Sequence, residues 1–171
     1  MQAEVRTVLG LFAIVLLAVA AWSDLATRTI PNRLCIGIAS AGLLARIVTA
    51  LPEAMASAAV AAGVFLVLIL LHARGVLGGG DVKLSAAIVL GLSPAGSYLF
   101  MIVTILSGGL LALLHLSLRL LPRAAPAPAG ASPWRRVSAV ERWRIKRRGP
   151  LPYGIAIACG GTWAILSGLG V

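Results

Sequence analysis

Long apolar runs alternate with short polar stretches along the chain, and their lengths indicate the fold class. A helix needs about 20 apolar residues to cross roughly 30 Å of hydrocarbon, and most of the runs approach or exceed that length. The pattern predicts an all-α fold, a polytopic membrane bundle of about six transmembrane helices. The predicted spans cover residues 8–22, 32–50, 54–71, 82–92, 96–121 and 151–171.

Polar and helix-breaking residues separate these spans. Pro31 can open the second helix, because the N–H that proline lacks would have no partner in a first turn. Residues 51–53 are predicted to form a short turn, and the three glycines at 78–80 are the strongest break. The run over 82–92 is too short to span unaided, so we expect it to extend toward Ser97 or to lie tilted among its neighbours.

The first apolar run is predicted to be a retained helix. It ends near small residues at 18–20 that resemble a signal-peptide cleavage site. The segment before it carries Glu4 as well as Arg6, so the positive bias of a cleaved leader is weak.

Composition supports a membrane protein. Of the 171 residues, 60% are hydrophobic and 12% are charged, whereas a soluble domain is about one quarter charged. Thirteen of the 15 Lys and Arg lie on the side of the loops after spans one, three and five, and only Arg6 and Arg46 lie opposite. This bias predicts both termini outside and a basic loop, at about 122–150, in the cytoplasm. Residues 1–171 would form a single membrane-embedded domain.

The net charge of +10 could suggest nucleic-acid binding. The charges lie in loops between apolar runs, however, where they report orientation and contact with anionic lipid headgroups. We therefore expect lipid contact near the basic loop and no nucleic-acid partner. Within that loop, Trp134, Val137 and Val140 recur at a spacing of three, which is compatible with a helix on the membrane surface or with a disordered linker.

Two aspartates are the strongest candidates for chemistry. Of the five acidic residues, only Asp24 and Asp81 fall at predicted cytoplasmic helix ends beside apolar segments. A carboxylate at a membrane boundary is costly and is usually either solvated or functional. Taken singly, Asp81 could simply cap a helix that starts at Val82, and Asp24 could end the first span in water.

Together, the two carboxylates suit aspartic-peptidase chemistry. Two carboxylates brought close cannot both ionise cheaply, so one keeps a proton while the other stays charged. The charged group can take a proton from water while the neutral one hydrogen-bonds the scissile carbonyl. The glycines before Asp81 fit this role, because a backbone without Cβ lets an extended peptide approach closely.

Three motifs occur in order along the chain. They are DLATRTIPN at 24–32, GGGDVK at 78–83 and LPYG at 151–154. This combination resembles the type IV prepilin peptidase family of GxGD aspartic peptidases, and within it the short TadV/CpaA-like branch that processes Flp-type pilins. The resemblance covers nearly the whole chain, from Asp24 through Gly160.

The resemblance implies a multi-pass protein of the bacterial inner membrane that removes the basic leader of prepilins or pseudopilins at the cytoplasmic face. It implies that Asp24 and Asp81 are catalytic. The other motif positions, with roles in substrate approach, are Gly78, Gly80, Lys83, Asn32, Pro152 and Gly154. Lys83 could bias the protonation of the aspartates or hold a phosphate, or it could be an ordinary interfacial lysine.

The chain departs from the larger family members in one respect. Those enzymes carry a cytoplasmic insert with paired CxxC motifs after the first span and also methylate the new N-terminus. Here only about eight residues separate Asp24 from Asn32, and Cys35 and Cys159 form no CxxC pair. We expect a peptidase without N-methyltransferase activity, without a metal and without a cofactor. His72 and His115 lack acids at ligand spacing and are not expected to bind metal or to be catalytic.

Two other functions remain open. One is another GxGD peptidase, such as a preflagellin peptidase or a signal-peptide-peptidase-like enzyme. The other is a small proton- or cation-coupled transporter that uses the same two aspartates as carriers, although both lie at one face and no internal repeat is visible.

Overall fold

The computed structural model describes residues 1–120, 132–147, 149 and 151–170. These residues form seven α-helices and no strand, which confirms the predicted all-α class. The helices are α1 Gln2–Thr27, α2 Asn32–Thr49, α3 Leu51–Ala73, α4 Gly79–Gly91, α5 Pro94–Leu120, α6 Pro133–Lys146 and α7 Tyr153–Leu169. Four of them, α1, α2, α3 and α5, are long and apolar enough to cross a membrane, and α7 is apolar but shorter. The chain is a polytopic helical bundle.

The limits of α1 and α3 differ from the prediction in ways that affect the site or a predicted turn. Helix α1 continues to Thr27, because no glycine or proline interrupts it, and it ends where Arg28 adopts the left-handed conformation, with φ 59°. Asp24 therefore lies in the last turn of α1 rather than beyond it. The predicted turn at 51–53 is wrong: Pro52 lies in the first turn of α3, a favoured site for proline, and the break is the extended residue Ala50.

Helix α4 is a separate short element. It ends at Gly91, and α5 begins at Pro94, so the predicted extension of this run toward Ser97 is wrong. Proline cannot donate in a helix interior, and Ser93 Oγ accepts the Gly96 N–H at 3.0 Å as an N-terminal cap. With 13 residues α4 is about 20 Å long. It lies outside the four candidate spans, packed mainly against α2, α3 and α7.

Close backbone contact fixes α4 against α2. A Cβ added to Gly42 of α2 would lie 2.6 Å from Gly91 Cα of α4, so only glycine fits this crossing. In a membrane, where lipid is as apolar as leucine, such small-residue crossings hold helices together by close packing. The core around them includes the fully buried side chains of Leu17, Leu84 and Phe100.

One end of the bundle, called the site end below, collects the termini of several helices. Asp24 near the end of α1 meets Gly154 at the start of α7, and the start of α4 lies beside Asn32 of α2 and His72 of α3. At the opposite end, the Arg6 guanidinium donates to Gly168 O at 3.1 Å. Helices α1 and α7 are therefore antiparallel.

The basic loop contains a helix. The segment around Trp134 is helical rather than a disordered linker, since α6 covers Pro133–Lys146, and its place on the membrane surface stays a prediction. It packs against α1 and α5. The rest of the predicted loop, at 122–131, 148 and 150, lies outside the described residues, as does Val171 of the predicted last span.

Candidate active site

Asp24 is a buried carboxylate at the junction of α1 and α7. Its residue is 8% exposed, and Oδ2 accepts a hydrogen bond from the Gly154 backbone N–H at 2.9 Å. That N–H belongs to the first turn of α7, where backbone donors lack partners within the helix. A Cβ on Gly154 would lie 2.8 Å from the same oxygen, so this contact requires glycine.

Asp81 lies in the first turn of α4. Gly78 is the N-cap, and Asp81 occupies the third helical position, where the acid of a capping box faces the N-cap N–H. The N-terminus of a helix also favours a negative charge. The helix starts before Asp81, so the alternative that Asp81 is the N-cap of a helix starting at Val82 is wrong.

The two carboxylates interact. Burial raises the pKa of Asp81 from 3.8 to about 6, and the charge of Asp24 adds to the increase. The Gly78 N–H and the Arg28 cation act in the opposite direction. Asp81 is therefore protonated over a pH range in which an ordinary aspartate is ionised, as one member of a shared-proton pair must be.

Replacing Asp24 by Asn is expected to lower the pKa of Asp81 below about 6. The substitution removes the neighbouring anion that disfavours ionisation, so Asp81 loses its proton at a lower pH. The midpoint can be measured as the pH dependence of Asp81 labelling by an apolar carbodiimide, which reacts with the protonated acid, followed by peptide mass spectrometry. Glu53→Gln, at the opposite end of the bundle, is the control and should leave the midpoint unchanged. An unchanged midpoint in Asp24→Asn would show that the two carboxylates are not coupled.

The structure places the other predicted site residues unevenly around the pair. Lys83 Nζ donates to Asn32 Oδ1 at 3.3 Å, and both residues are exposed. The cation that acts on Asp81 is Arg28. A Cβ on Gly80 would lie 3.4 Å from Ile30, an ordinary contact, so packing alone does not demand glycine there.

Gly78 and Pro152 flank the pair in different surroundings. Gly78 is exposed, and a Cβ there would lie 3.1 Å from Asp81 Oδ2. An extended peptide that approached Asp81 would therefore meet bare backbone. Pro152 is fully buried and is the N-cap of α7, directly before the turn that carries Gly154. Pro152 therefore stabilises that turn through packing.

Four residues near the pair were missed by sequence analysis. Arg28 acts electrostatically on both aspartates, and its guanidinium pairs with Glu141 of α6. His115 and Arg144 also contact Glu141. The spacing of Arg28, one helical turn after Asp24, was a usable signal. Glu141 is 113 residues from Arg28 along the chain, and no local pattern distinguishes it from its basic neighbours.

The histidines and acids do not form a metal cluster in the part of the chain that the structure describes. No group of three or more His, Cys, Asp or Glu there has the arrangement of a metal site. His72 Nδ1 lies 2.8 Å from Leu77 O, so this ring is engaged with the turn before α4.

Two carboxylates at helix ends of a membrane-type bundle, with the pKa of Asp81 raised to about 6, are an arrangement suited to acid–base chemistry. A sequence model of the type IV leader peptidase family matches residues 11–113, more than half of the chain, and the chain belongs to that family. The resemblance to this family is thereby confirmed, while the TadV/CpaA-like branch stays a prediction, and a leader peptidase-like hydrolase function follows from the family. Both aspartates lie within the matched residues. No curated protein and no solved structure matches the chain.

Proposed function

We propose that this protein is an aspartic endopeptidase that removes the leader of Flp-type prepilins or pseudopilins at the cytoplasmic face of the bacterial inner membrane. Asp24 and Asp81 are the catalytic residues of a single domain spanning 1–171. The observation that carries the proposal is the placement of both aspartates at the site end, in the last turn of α1 and the first turn of α4, where the charge of Asp24 acts on Asp81. Family membership supports a leader peptide as the substrate.

We assign different roles to the two acids. Asp24 is the base, because the Gly154 N–H at 2.9 Å stabilises its charged form. Asp81 is the acid, because burial and the neighbouring charge favour its protonated form. Asp24 takes a proton from water, the water oxygen attacks the scissile carbonyl carbon, and Asp81 hydrogen-bonds the carbonyl oxygen. The proton then passes from Asp24 to the leaving nitrogen as the C–N bond breaks.

The substrate approaches over Gly78. Its backbone is exposed beside Asp81, which suits an extended segment of a prepilin. Asn32 and Lys83, joined at 3.3 Å on the same end of the bundle, lie where they could contact such a segment. Gly80 and Pro152 would then act by shaping the turns that carry Asp81 and Gly154.

Orientation and lipid contact belong to the same proposal. The site end faces the cytoplasm and both termini lie outside, as the distribution of Lys and Arg favours. Helix α6 exposes Trp134 and Trp143, at 67% and 56%, among several arginines. Aromatic and basic residues in one short helix suit the headgroup region of an anionic membrane. Headgroups there would screen the repulsion between a basic leader and a basic surface.

The test is cleavage by the purified protein in liposomes. Candidate prepilins are incubated with the wild-type enzyme and with Asp24→Asn, and the products are mapped by intact-mass and N-terminal analysis. We expect the wild-type enzyme alone to release the leader. The absence of an insert and of a CxxC pair also predicts a free, unmethylated N-terminus when a methyl donor is added.

The alternatives give different results in this experiment. Cleavage of a preflagellin or of a membrane-spanning signal peptide, with prepilins untouched, would favour another GxGD peptidase. Proton or cation flux without any cleavage would favour the transporter and refute the peptidase. A methylated product that requires only this protein and a methyl donor would refute the peptidase-only proposal.

A further inference from the structure

Helix α6 carries a buried acid beside the candidate active site. Glu141 is 8% exposed, although the segment around it is strongly basic. A buried carboxylate is expensive unless it is paired and hydrogen-bonded. The burial of Glu141 therefore requires specific partners, and the pattern of polar and apolar residues along α6 does not explain it.

Three basic side chains surround Glu141. Arg28 Nη2 donates to Oε1, His115 Nε2 lies 3.1 Å from the same oxygen, and Arg144 Nη1 lies 3.6 Å from Oε2. The side chains of Arg28 and His115 are 16% and 7% exposed. This cluster joins the end of α1 to α5 and α6. Within it, Glu141 is the acid that fixes the Arg28 guanidinium.

Additional contacts hold α6 in place over the end of α1. Arg144 donates to the carbonyl oxygens of Leu25 and Ala26, at 3.0 and 3.3 Å, which are among the unpaired acceptors of the last turn of α1. The Trp134 ring packs edge-on against Trp22 at 4.4 Å. Glu141 is thus presented to Arg28 by a docked helix.

Arg28 is the link between this cluster and the aspartates. It follows Asp24 by one helical turn, and its charge acts on both Asp24 and Asp81. Its backbone is fixed in the left-handed conformation that ends α1. The long side chain has many rotamers, so the location of its charge depends on what binds the guanidinium, and Glu141 does so.

We propose that Glu141 is a positioning residue of the active site, which holds the Arg28 cation beside the two catalytic aspartates. Helix α6 is then part of the catalytic centre as well as a candidate lipid-binding element. This inference rests on the proposed peptidase function. The charged and titratable groups that face the centre are Asp24, Arg28, Asp81, His115, Glu141, Arg144 and Tyr153.

Glu141→Gln tests the proposal, and Glu53→Gln is the matched control. Glu53 also pairs with an arginine, Arg46 at 3.1 Å, but at the opposite end of the bundle. We expect Glu141→Gln to lower kcat by about 10- to 100-fold, as small displacements of catalytic groups do. KM should stay within about twofold, because Glu141 is buried and its contacts are to Arg28, His115 and Arg144. Glu53→Gln should retain wild-type kcat.

A double-mutant cycle with Arg28→Gln separates positioning from general stabilisation. If Glu141 acts through Arg28, adding Glu141→Gln to Arg28→Gln should cause little further loss of kcat. The pH–rate profile gives a second readout. Release of Arg28 removes a cation that acts on both aspartates, so the profile of Glu141→Gln should move to higher pH. Loss of the Glu141 charge with Arg28 unmoved would shift the profile to lower pH, because removal of a nearby anion favours ionisation of the acids beside it.

These experiments test the positioning role of Glu141 separately from the proposed peptidase function. Wild-type kcat in Glu141→Gln, additive losses in the cycle or a shift to lower pH would overturn the positioning role while the wild-type enzyme still cleaves. Failure of the wild-type enzyme to cleave any leader would instead refute the peptidase proposal. If Glu141→Gln does not insert, Glu141→Asp, which keeps the charge on a shorter side chain, takes its place with Glu53→Asp as control.

Discussion

Asp24→Asn and Asp81→Asn are each expected to abolish leader cleavage. Initial rates should fall by about 100- to 10,000-fold relative to wild type. Neither carboxylate can replace the other, because one must accept a proton from water while the other donates a hydrogen bond to the carbonyl. An amide in either position can do only part of this. Initial rates of leader release, measured by mass spectrometry on liposome-reconstituted enzyme, provide the number.

Both variants should remain inserted and folded. The Gly154 N–H can still donate to the amide oxygen of an asparagine at position 24, so the junction of α1 and α7 keeps its hydrogen bond. Glu4→Gln is the control for loss of a carboxylate, since the Glu4 side chain is 83% exposed at the opposite end. Substantial turnover by either aspartate variant would rule out the proposed pair.

Gly154→Ala is expected to give the second large loss, of about 100-fold in kcat. The new methyl group would lie 2.8 Å from Asp24 Oδ2 and 2.9 Å from Asp24 Cβ, closer than real Cβ atoms approach. Either the carboxylate turns away or α7 moves back from α1. Both responses displace the base from the position that its backbone donor defines, and overpacking of this kind also costs about 1–3 kcal/mol of stability.

Gly168→Ala is the matched control for this substitution. Gly168 lies in the same helix, and a Cβ there would meet no atom within 4 Å. It should keep wild-type activity and slightly favour the helix, because alanine has a higher helix propensity than glycine. Equal activity of Gly154→Ala and Gly168→Ala, assayed with equal amounts of inserted protein, would contradict the geometry assigned to Asp24.

Hydropathy and breaker residues predicted the helical class and most of the bundle. They failed at the short elements. The run that forms α4 looked like part of a longer span, but Ser93 and Pro94 start a new helix there. The limits of α1 were also misjudged, because an apolar window does not show that a helix continues through Ser23 and Thr27 once polar residues begin.

The candidate site was predictable where its residues belong to local motifs. Asp24 and Asp81 are the only aspartates in the chain, and each lies in a recognisable stretch. Glu141 was not predictable, since its significance comes from tertiary contacts with Arg28 and His115 on two other helices. Pairing across such distances depends on how helices dock, which a one-dimensional pattern does not contain.

The position of Asp81 at the start of α4 depends on how the other end of that helix packs against α2. Gly91 lies about ten residues from Asp81, or about 15 Å along the axis. Because the two backbones touch at Gly42 and Gly91, a larger side chain at either position would push the two helices apart there. Helix α4 would then tilt relative to α2. Such a tilt would move the Asp81 carboxylate at the opposite end of α4. The size of the side chains at the α2–α4 contact therefore limits the geometry of the aspartate pair.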